Sequence, residues 1–359
     1  MRVFSNATLL CGEELEVVNG YVVVEDGVIK EIGEGRAPYR NATNTKRGII
    51  FPAFTNAHVH LGDSIAQDLA AYEHMGKRVG RRGAKFEILK RESEVSKGIR
   101  CSLNEMLSLG TTAFCDFREG GIKGIKQLKF TLPKNQDAVV LGRPDGDAIE
   151  KVLKNCDGIG ISSVADYSPE ELKEISKAAK KSKKLLALHA AEVSDDVERA
   201  LKFKPDFLVH VTNADEESLR KIFDSKIPVV LCPRANAMLG VGIPRVKEIF
   251  ENTSVAFGTD NVMVNSLNMF REMEFAFKVA RGLDRDYKFD ARKILAAATL
   301  NGRKILGLKS NAIEEGNEAN FIILRNRKYL YDPILSIVHR YEASDIRSIV
   351  KGSLCIRGY

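Results

Sequence analysis

The chain of 359 residues is long enough for a barrel of about 250 residues with extra segments, or for one large and one small domain. Hydrophobic residues make up 44% and charged residues 29%, as in globular proteins, and no apolar run reaches the roughly 18 residues of a membrane-spanning helix. The net charge of +7 would suit an anionic partner, but basic and acidic residues are mixed along the chain, so we expect neither a nucleic-acid partner nor a membrane.

None of the six cysteines forms a CxxC pair, and some lie inside apolar runs, where a reduced thiol behaves as a small hydrophobe. The first residues, MRVFSNATLL, become polar too early for a signal peptide. We therefore expect a cytoplasmic protein without a disulfide framework.

Both ends of the chain have the pattern of short strands joined by turns. Residues 1–50 contain GYVVVEDGVIKEIGEG, in which the dipeptide Asp26-Gly27 is a hairpin signal. Residues 311–359 contain the similar segments NFIILR and SIVKGSLCIRG. Two β-rich ends so far apart in sequence predict one small β-sandwich module built from both termini, which leaves residues 51–310 for a separate, larger domain.

The middle of the chain alternates short apolar runs with longer amphipathic segments, the pattern of βα units around a parallel sheet. Eight apolar runs predict eight buried strands, at residues 50–57, 111–117, 138–142, 158–164, 185–190, 207–211, 229–232 and 255–258. Eight such units fit an α/β fold, the closed (β/α)8 TIM-like barrel. An open doubly wound sheet is the alternative, but its first strand would usually end in a glycine-rich turn, whereas this one ends in AHVHLGD.

Three connecting segments carry helix-start signals. Ser168 is followed by a proline and, three residues on, by Glu171, which is the pattern of a capping box. Asn213 with Glu216 predicts the start of the next helix, and Asp290 that of a later one. We expect these helices to surround the barrel.

Four of the six histidines fall at the ends of predicted strands. His58 and His60 end the first strand, His189 the fifth and His210 the sixth, while Asp260 follows the eighth. Strand ends of a barrel converge on its carboxyl-terminal face, and residues two apart in a strand face the same side, so these side chains should meet. Imidazole and carboxylate suit Zn²⁺, and also Fe²⁺ or Mn²⁺, and a catalytic metal lowers the pKa of a bound water.

Each of these residues also has a structural interpretation. A single HxH pair is a weak signal for a metal site. A lone histidine is more often a core residue whose ring nitrogens have hydrogen-bond partners, and Asp260 could cap a helix or turn. Glu192, three residues after His189, could move protons between water and a leaving group, or could be a helix-start glutamate favoured by the helix dipole. His74 and His339 fall outside the pattern and are expected in loops or at the surface, although His74 could still line the site. Because the others occur together at several strand ends, we predict a metal site.

The segment FPAFTNAHVHLGDS resembles the first-strand signature of the amidohydrolase superfamily, LHAAE its HxxE motif and FGTDN its eighth-strand aspartate. CPRANAMLGVGIP is similar to the CPxSN…GxP segment of the branch that holds S-adenosylhomocysteine, guanine and cytosine deaminases and triazine chlorohydrolases, with Ala235 in place of the serine. The resemblance covers nearly the whole chain, as far as EEGNEANFIIL near its end.

The resemblance implies a metal count and a role for each matching residue. Binuclear members carry a bridging lysine or glutamate after the fourth strand, whereas GIGISSVAD has no lysine there, so one divalent metal is implied, zinc first and Fe²⁺ or Mn²⁺ as alternatives. Members are often dimers or larger, so a homo-oligomer is expected. The implied residues are the metal ligands His58, His60, His189 and Asp260, the proton shuttle Glu192, and His210, which polarises the substrate or the attacking water; Asp260 can also act as a base.

The implied function is hydrolysis of a carbon–nitrogen bond other than a peptide bond. We expect hydrolytic deamination of a small molecule, an amino-substituted purine- or pyrimidine-like heterocycle or nucleoside. Hydrolysis of a cyclic amide or imidazolone, and dechlorination, are alternatives on the same site. A non-catalytic barrel protein is a remote alternative.

Two features bear on the substrate. The basic segment 77–90 predicts either an anionic group on the substrate, with Arg81 and Arg82 as candidate contacts, or solvated charge. Arg234 and Asn236 are candidate substrate-binding residues, although a buried ion pair or hydrogen bond is nearly as good an interpretation. The motifs do not name the substrate.

Overall fold

The computed structural model describes residues 1–80 and 83–357, so the predicted role of Arg81 and Arg82 lies outside the described residues. The strands in these ranges are β1 (Arg2–Cys11), β2 (Glu16–Glu25), β3 (Val28–Glu34), β4 (Thr43–Pro52), β5 (Phe54–His60), β6 (Thr111–Arg118), β7 (Asp137–Gly142), β8 (Gly158–Ile161), β9 (Leu185–Ala190), β10 (Phe207–His210), β11 (Val229–Leu231), β12 (Val255–Phe257), β13 (Asp260–Asn261), β14 (Asn320–Leu324), β15 (Ile346–Lys351) and β16 (Leu354–Arg357).

The helices in the same ranges are α1 (Met75–Arg78), α2 (Ala84–Leu89), α3 (Glu92–Ser108), α4 (Gly121–Thr131), α5 (Ile149–Asn155), α6 (Pro169–Lys181), α7 (Val197–Leu201), α8 (Glu216–Ser225), α9 (Pro233–Leu239), α10 (Val246–Asn252), α11 (Met269–Asp284), α12 (Ala291–Ala298), α13 (Leu300–Ile305) and α14 (Pro333–His339). Short 3-10 turns lie at Leu61–Ile65, Val164–Asp166 and Ala343–Asp345. No helix in the described part of the chain has both the length and the apolar character needed to cross a membrane.

One sheet of nine parallel strands runs in the order β12, β11, β10, β9, β8, β7, β6, β5 and β13. Its two edge strands are neighbours in sequence, because only Gly258 and Thr259 separate β12 from β13. The sheet therefore curls until both edges reach the same segment, where Asp260 of β13 pairs with Val59 of β5. Since all nine strands run in the same direction, their carboxyl ends lie on one side of the sheet.

The predicted apolar runs correspond to strands of this sheet, with two corrections. The run 158–164 is a strand only as far as Ile161, and Val164 lies in a 3-10 turn. The run 50–57 is divided between two sheets, because Ile50 belongs to β4 and β5 begins only at Phe54. The backbone changes partners at this point: Ala53 donates its N–H to the carbonyl of Asn320, whereas Phe54 donates to that of Gly110. The prediction of a single strand was wrong because a buried chain that passes from one sheet to another stays apolar throughout.

A second, mixed sheet contains strands from both ends of the chain, in the order β16, β15, β14, β4, β1, β2 and β3. The N-terminal and C-terminal parts join where β4 pairs with β14, for example at Ile50 and Ile323. The predicted hairpin turn between β2 and β3 is confirmed, since Asp26 and Gly27 have φ angles of 51° and 80°. Such left-handed angles at both positions are what a two-residue hairpin requires.

Two of the three predicted helix starts are confirmed. Ser168 and Glu171 form both hydrogen bonds of the capping box at the start of α6, and Asp290 caps α12. The third was wrong by two residues, because the side chain of Asp215 accepts the N–H of Ser218 and begins α8. The Asn213 side chain is used elsewhere: its amide donates to the backbone carbonyls of residues 192 and 241.

The interior of the curled sheet is filled by apolar side chains, including Ala57, Phe117, Phe207, Val230 and Leu306. These side chains close the space below the strand ends, so the interior is a packed core and not a pore. Phe117 is the apolar side chain of this core that lies next to the histidines. Its ring centroid lies 4.3 Å from that of His58. The polar residues lie above this ring.

Candidate active site and metal centre

Four imidazoles meet above the Phe117 ring, as the sequence predicted. His58 and His60 end β5 and are both buried, because residues two apart in a strand face the same side. The ring centroid of His58 lies 4.8 Å from those of His60 and His189 and 5.7 Å from that of His210. The side chains thus come from three strands, β5, β9 and β10.

Backbone carbonyls determine which nitrogen of two histidines carries the proton. Nδ1 of His189 lies 2.6 Å from the carbonyl oxygen of Ile161, and Nδ1 of His60 lies 3.1 Å from that of Phe117. Because a carbonyl oxygen only accepts, each Nδ1 must donate, which in the neutral imidazole leaves Nε2 with a free lone pair. Both Nε2 atoms are therefore available to a metal.

Asp260 provides a carboxylate among these imidazoles. Its Oδ1 lies 3.1 Å from Nε2 of His58 and 3.5 Å from Nε2 of His60. Burial raises its pKa, but the hydrogen bond to His58 and the neighbouring histidines outweigh burial and hold the pKa of Asp260 below its ordinary value. Burial also lowers the pKa of His58 to about 3. The pKa of His60 is raised instead, because burial, which lowers it, is outweighed by the neighbouring Glu119. An ionised Asp260 beside a neutral His58 is the protonation state that metal coordination requires.

The described residues contain three overlapping groups whose possible ligand atoms lie within 4.8 Å of one another. The groups are His58, His189 and His210; His58, His60 and Asp260; and Glu192, His210 and Asp260. His58 connects the first two groups, which together include all four predicted ligands. Buried imidazoles and a carboxylate at this spacing fit a divalent metal such as zinc.

Glu192 and His210 face each other across the site. Oε2 of Glu192 lies 3.7 Å from Nε2 of His210, and burial raises the pKa of Glu192 above its ordinary value. His210 has a left-handed backbone, with φ of 77°, and Asp260 has φ of 59°. Non-glycine residues rarely adopt these angles, and such strain is concentrated at functional sites. Both residues with this left-handed backbone line the cavity at the strand ends.

The two candidate substrate-binding residues lie behind the site. The side-chain amide of Asn236 lies 3.0 Å from Nδ1 of His210, and Asn236 is fully buried. The Arg234 guanidinium lies 3.4 Å from the Glu272 carboxylate and donates to Ser266, which ties α9 to the start of α11. The structure thus brings neither side chain to the cavity wall described below, and direct contact of either with a substrate stays a prediction.

A cavity of about 270 Å³ opens above the histidines and acids. Glu192, His210 and Asp260 lie on its floor, together with the histidines His60 and His189. Its walls come from loops after several strands of the parallel sheet, which is where this kind of sheet carries catalytic groups. The wall side chains with polar groups include those of Lys85, Arg143, Asp145, Ser162, Ser163 and Tyr167.

Sequence reasoning missed a buried charge cluster beside His60. Glu119 follows β6, and its Oε1 lies 3.1 Å from Nδ1 of His60. Lys85 belongs to the basic segment 77–90, but its side chain is only 3% exposed, whereas Lys77 and Lys90 are exposed and pair with nearby glutamates. The position of Glu119 at a strand end was the available signal. No local pattern distinguished Lys85 from its exposed neighbours.

Residues 49–351 match the family model described as the amidohydrolase family. The chain belongs to the amidohydrolase family. A protein of Methanothermobacter thermautotrophicus with a provisional aminohydrolase name is 34% identical to it, covering 99% of this chain and 100% of the relative. The 5-methylthioadenosine/S-adenosylhomocysteine deaminase of Pyrococcus furiosus is 27% identical, covering 99% of this chain and 94% of the relative.

Two crystal structures are similar to this family member in fold. An adenosine deaminase of Xanthomonas campestris with bound zinc matches with a TM-score of 0.84 and 16% identity, covering 99% of this chain and 93% of the other. A mutant atrazine chlorohydrolase of Arthrobacter aurescens, in complex with zinc and atraton, matches with a TM-score of 0.82 and 16% identity, covering 100% and 95%. At such identities the likeness concerns the fold.

Proposed function

We propose that this amidohydrolase family member is a metal-dependent hydrolytic deaminase that acts on an amino-substituted purine- or pyrimidine-like heterocycle or nucleoside. The observation that carries the proposal is that Glu192, His210 and Asp260 converge on one cavity floor together with the candidate metal ligands. The relative of Pyrococcus furiosus, named as a deaminase of two adenosine derivatives, supports the substrate class. Dechlorination or cyclic-amide hydrolysis on the same site would be recognised by a different product.

His58, His60, His189 and Asp260 would hold one divalent ion, zinc in our proposal, with Fe²⁺ or Mn²⁺ as alternatives. A divalent cation bound there supplies Lewis-acid chemistry and lowers the pKa of a water molecule toward neutrality. A count of one is supported by the end of β8, which is followed by two serines and no lysine that could bridge a second ion.

The chain's own residues would move the protons of the reaction. Glu192 takes a proton from the attacking water and delivers it to a ring nitrogen of the substrate. It then carries the remaining proton of the added hydroxyl group to the departing ammonia. His210 donates a hydrogen bond from Nε2 to the oxygen that attacks the ring and stabilises the charge that develops, and Asp260 can serve as a second base. The overall change exchanges water for ammonia, so an exocyclic amine becomes a carbonyl.

We also propose the finer architecture behind this site. The nine parallel strands would form a closed (β/α)8 TIM-like barrel over residues 51–310, supported by the pairing of both sheet edges with one segment. Residues 1–50 and 311–359 would form one β-sandwich module, supported by the mixed sheet that contains strands from both ends. A homo-oligomer and a cytoplasmic location stay predictions from the sequence.

The decisive experiment is an ammonia-release screen. Zinc-loaded protein would be incubated with aminopurines, aminopyrimidines and their nucleosides, with the Glu192→Gln variant as the inactive control. We expect at least one compound to release ammonia with the wild type and none with the variant. No ammonia from the whole panel would contradict deamination, and chloride or ring-opened products from other compounds would support the other reactions.

A further inference from the structure

A buried cluster of charges borders His60 outside the proposed catalytic groups. Nζ of Lys85 lies 2.9 Å from Oε1 of Glu119 and 3.4 Å from Oδ2 of Asp63. The three side chains are only 3%, 2% and 0% exposed. Buried charges at this depth are rare unless they are paired, so each of them restricts where the others can lie.

One oxygen of this cluster has three neighbours. Oε1 of Glu119 lies 2.9 Å from Lys85, 3.1 Å from Nδ1 of His60 and 3.4 Å from NH1 of Arg143. The carboxylate is thus held between two cations and the N–H of an imidazole whose Nε2 faces Asp260. The other oxygen, Oε2, has no hydrogen-bond partner among the described residues. The position of the Glu119 carboxylate therefore depends on the contacts of Oε1.

A carboxylate that accepts the Nδ1–H of a ligand histidine orients the ring and makes Nε2 a better donor to a metal. Nδ1 of His60 has a second acceptor, the carbonyl of Phe117, at the same distance of 3.1 Å. That carbonyl is uncharged and part of β6, so it can orient the ring without adding the negative charge that Glu119 provides. Lys85 is the closer of the two cations that keep this carboxylate beside the ring.

We propose that Lys85 and Glu119 are positioning residues for His60, with Lys85 holding Glu119 in place and Glu119 holding the imidazole for the metal. The inference rests on the proposed metal site. Lys85 comes from α2, in the segment between β5 and β6, while His60 ends β5. A connecting segment of the fold therefore contributes to metal affinity through a side chain that does not touch the metal.

The competing explanation is a buried ion pair with a purely structural role, and a second lysine of the chain provides a matched control. Lys351 lies in β15, its side chain is 7% exposed, and Nζ lies 2.8 Å from Asp137 and 2.7 Å from Glu318. It is thus a buried lysine between two carboxylates, but in the mixed sheet. Loss of either lysine should lower the unfolding temperature, whereas only Lys85 should affect the metal.

The test measures the dissociation constant for Zn²⁺ by competition with a chromophoric chelator, without substrate. We expect Lys85→Met to raise it about 10- to 100-fold, the usual effect of removing an outer partner of a ligand histidine. Lys351→Met should stay within about twofold of the wild type, as expected for a site without contact to the ligands. An unchanged constant in Lys85→Met, or an equal rise in both variants, would overturn the proposal.

Glu119→Gln provides a second variant of similar shape, should Lys85→Met fold poorly. It retains an oxygen that can accept the Nδ1–H of His60 but loses the charge, so we expect a smaller rise in the zinc constant and a changed visible spectrum of the Co²⁺-loaded protein. In the double variant the rise should be less than the product of the single effects, because both act through one contact. If the rise in the zinc constant of the double variant equals the product of the single effects, Lys85 and Glu119 act independently, which would contradict the proposal that Lys85 acts through Glu119.

These outcomes can be separated from failure of the proposed function. If the wild type binds no zinc at the site, the metal-dependent function fails. If the wild type binds zinc and both Lys85→Met and Glu119→Gln bind it equally well, only the inference about Lys85 and Glu119 fails. The ammonia assay is not part of this measurement.

Discussion

The side-chain amide of Asn236 donates a hydrogen bond of 3.0 Å to Nδ1 of His210. Nδ1 is then an acceptor, so in the neutral imidazole the proton must be on Nε2, which lies 3.7 Å from Oε2 of Glu192. Asn236 thus selects the form of His210 that presents an N–H to the cavity. This relationship gives Asn236 a role through His210, while its direct contact with a substrate stays a prediction.

Replacing Asn236 with alanine should therefore impair turnover without loss of metal. We expect kcat to fall about 10- to 100-fold in Asn236→Ala, because the neutral His210 ring is no longer held in the tautomer with its proton on Nε2. Steady-state kinetics with the substrate from the ammonia screen, together with zinc analysis, would measure this. Asn311→Ala is the control, since Asn311 is another buried amide that donates to a backbone carbonyl far from the site. Equal losses in both variants would refute the assignment.

Removal of the Glu192 carboxylate should affect proton transfer alone. We expect Glu192→Gln to lower kcat by about 10²- to 10⁴-fold, the usual contribution of a general acid–base, while the zinc content stays that of the wild type. Glu198→Gln, on the exposed surface of α7, should retain full activity. Substantial activity in Glu192→Gln would mean that another group, such as Asp260, moves the protons.

Loss of a metal ligand should reduce both zinc content and stability. We expect His58→Ala and His189→Ala to purify with little zinc, whereas His74→Ala and His339→Ala, which change histidines away from the cavity, should retain it. Metal bound only to the folded state stabilises it by about 2.7 kcal/mol when free zinc is 100 times its dissociation constant. Calorimetry with and without a chelator would measure the difference, and equal unfolding temperatures would contradict a bound metal.

The burial of Glu272 should make stability depend on pH, because it outweighs the opposing effect of Arg234. Burial raises the pKa of Glu272 to about 7 from the ordinary 4.5, so between these values the unfolded chain releases a proton that the folded chain keeps. The free energy of unfolding should therefore fall as pH rises from about 4.5 to 7, by about 1–3 kcal/mol from this group. Urea titrations of the wild type and Glu272→Gln would reveal the fall as a difference between the two. Parallel pH profiles would refute it.

The strands and the meeting of the histidines could be predicted from the sequence because both follow from local periodicity. Buried parallel strands have short, continuous apolar runs, and their carboxyl ends must share one side of the sheet. His58, His60 and His189 end such runs, so their convergence required no knowledge of the loops. The capping box at Ser168 and the turn at Asp26 were equally local.

Local sequence patterns were insufficient to predict the structure where a segment pairs with a partner that is distant in the chain. The apolar run 50–57 does not reveal that the chain leaves the mixed sheet before β5, because both sheets bury apolar residues. Asn213 also had a suitable helix-start pattern, but its amide binds two carbonyls of other loops and Asp215 caps the helix. In each case the competing partner is distant in sequence.

The amino-acid sequence by itself therefore determined the family, the α/β pattern and the candidate ligand set, because these depend on spacing along single strands. Only the tertiary structure decided what lies behind each ligand: Lys85 and Glu119 beside His60, Asn236 behind His210, and Arg234 against Glu272. The residues of these pairs are 26 to 59 positions apart in the chain and belong to different strands, helices and loops. Their contacts depend on how the whole sheet curls, which no short segment of sequence specifies.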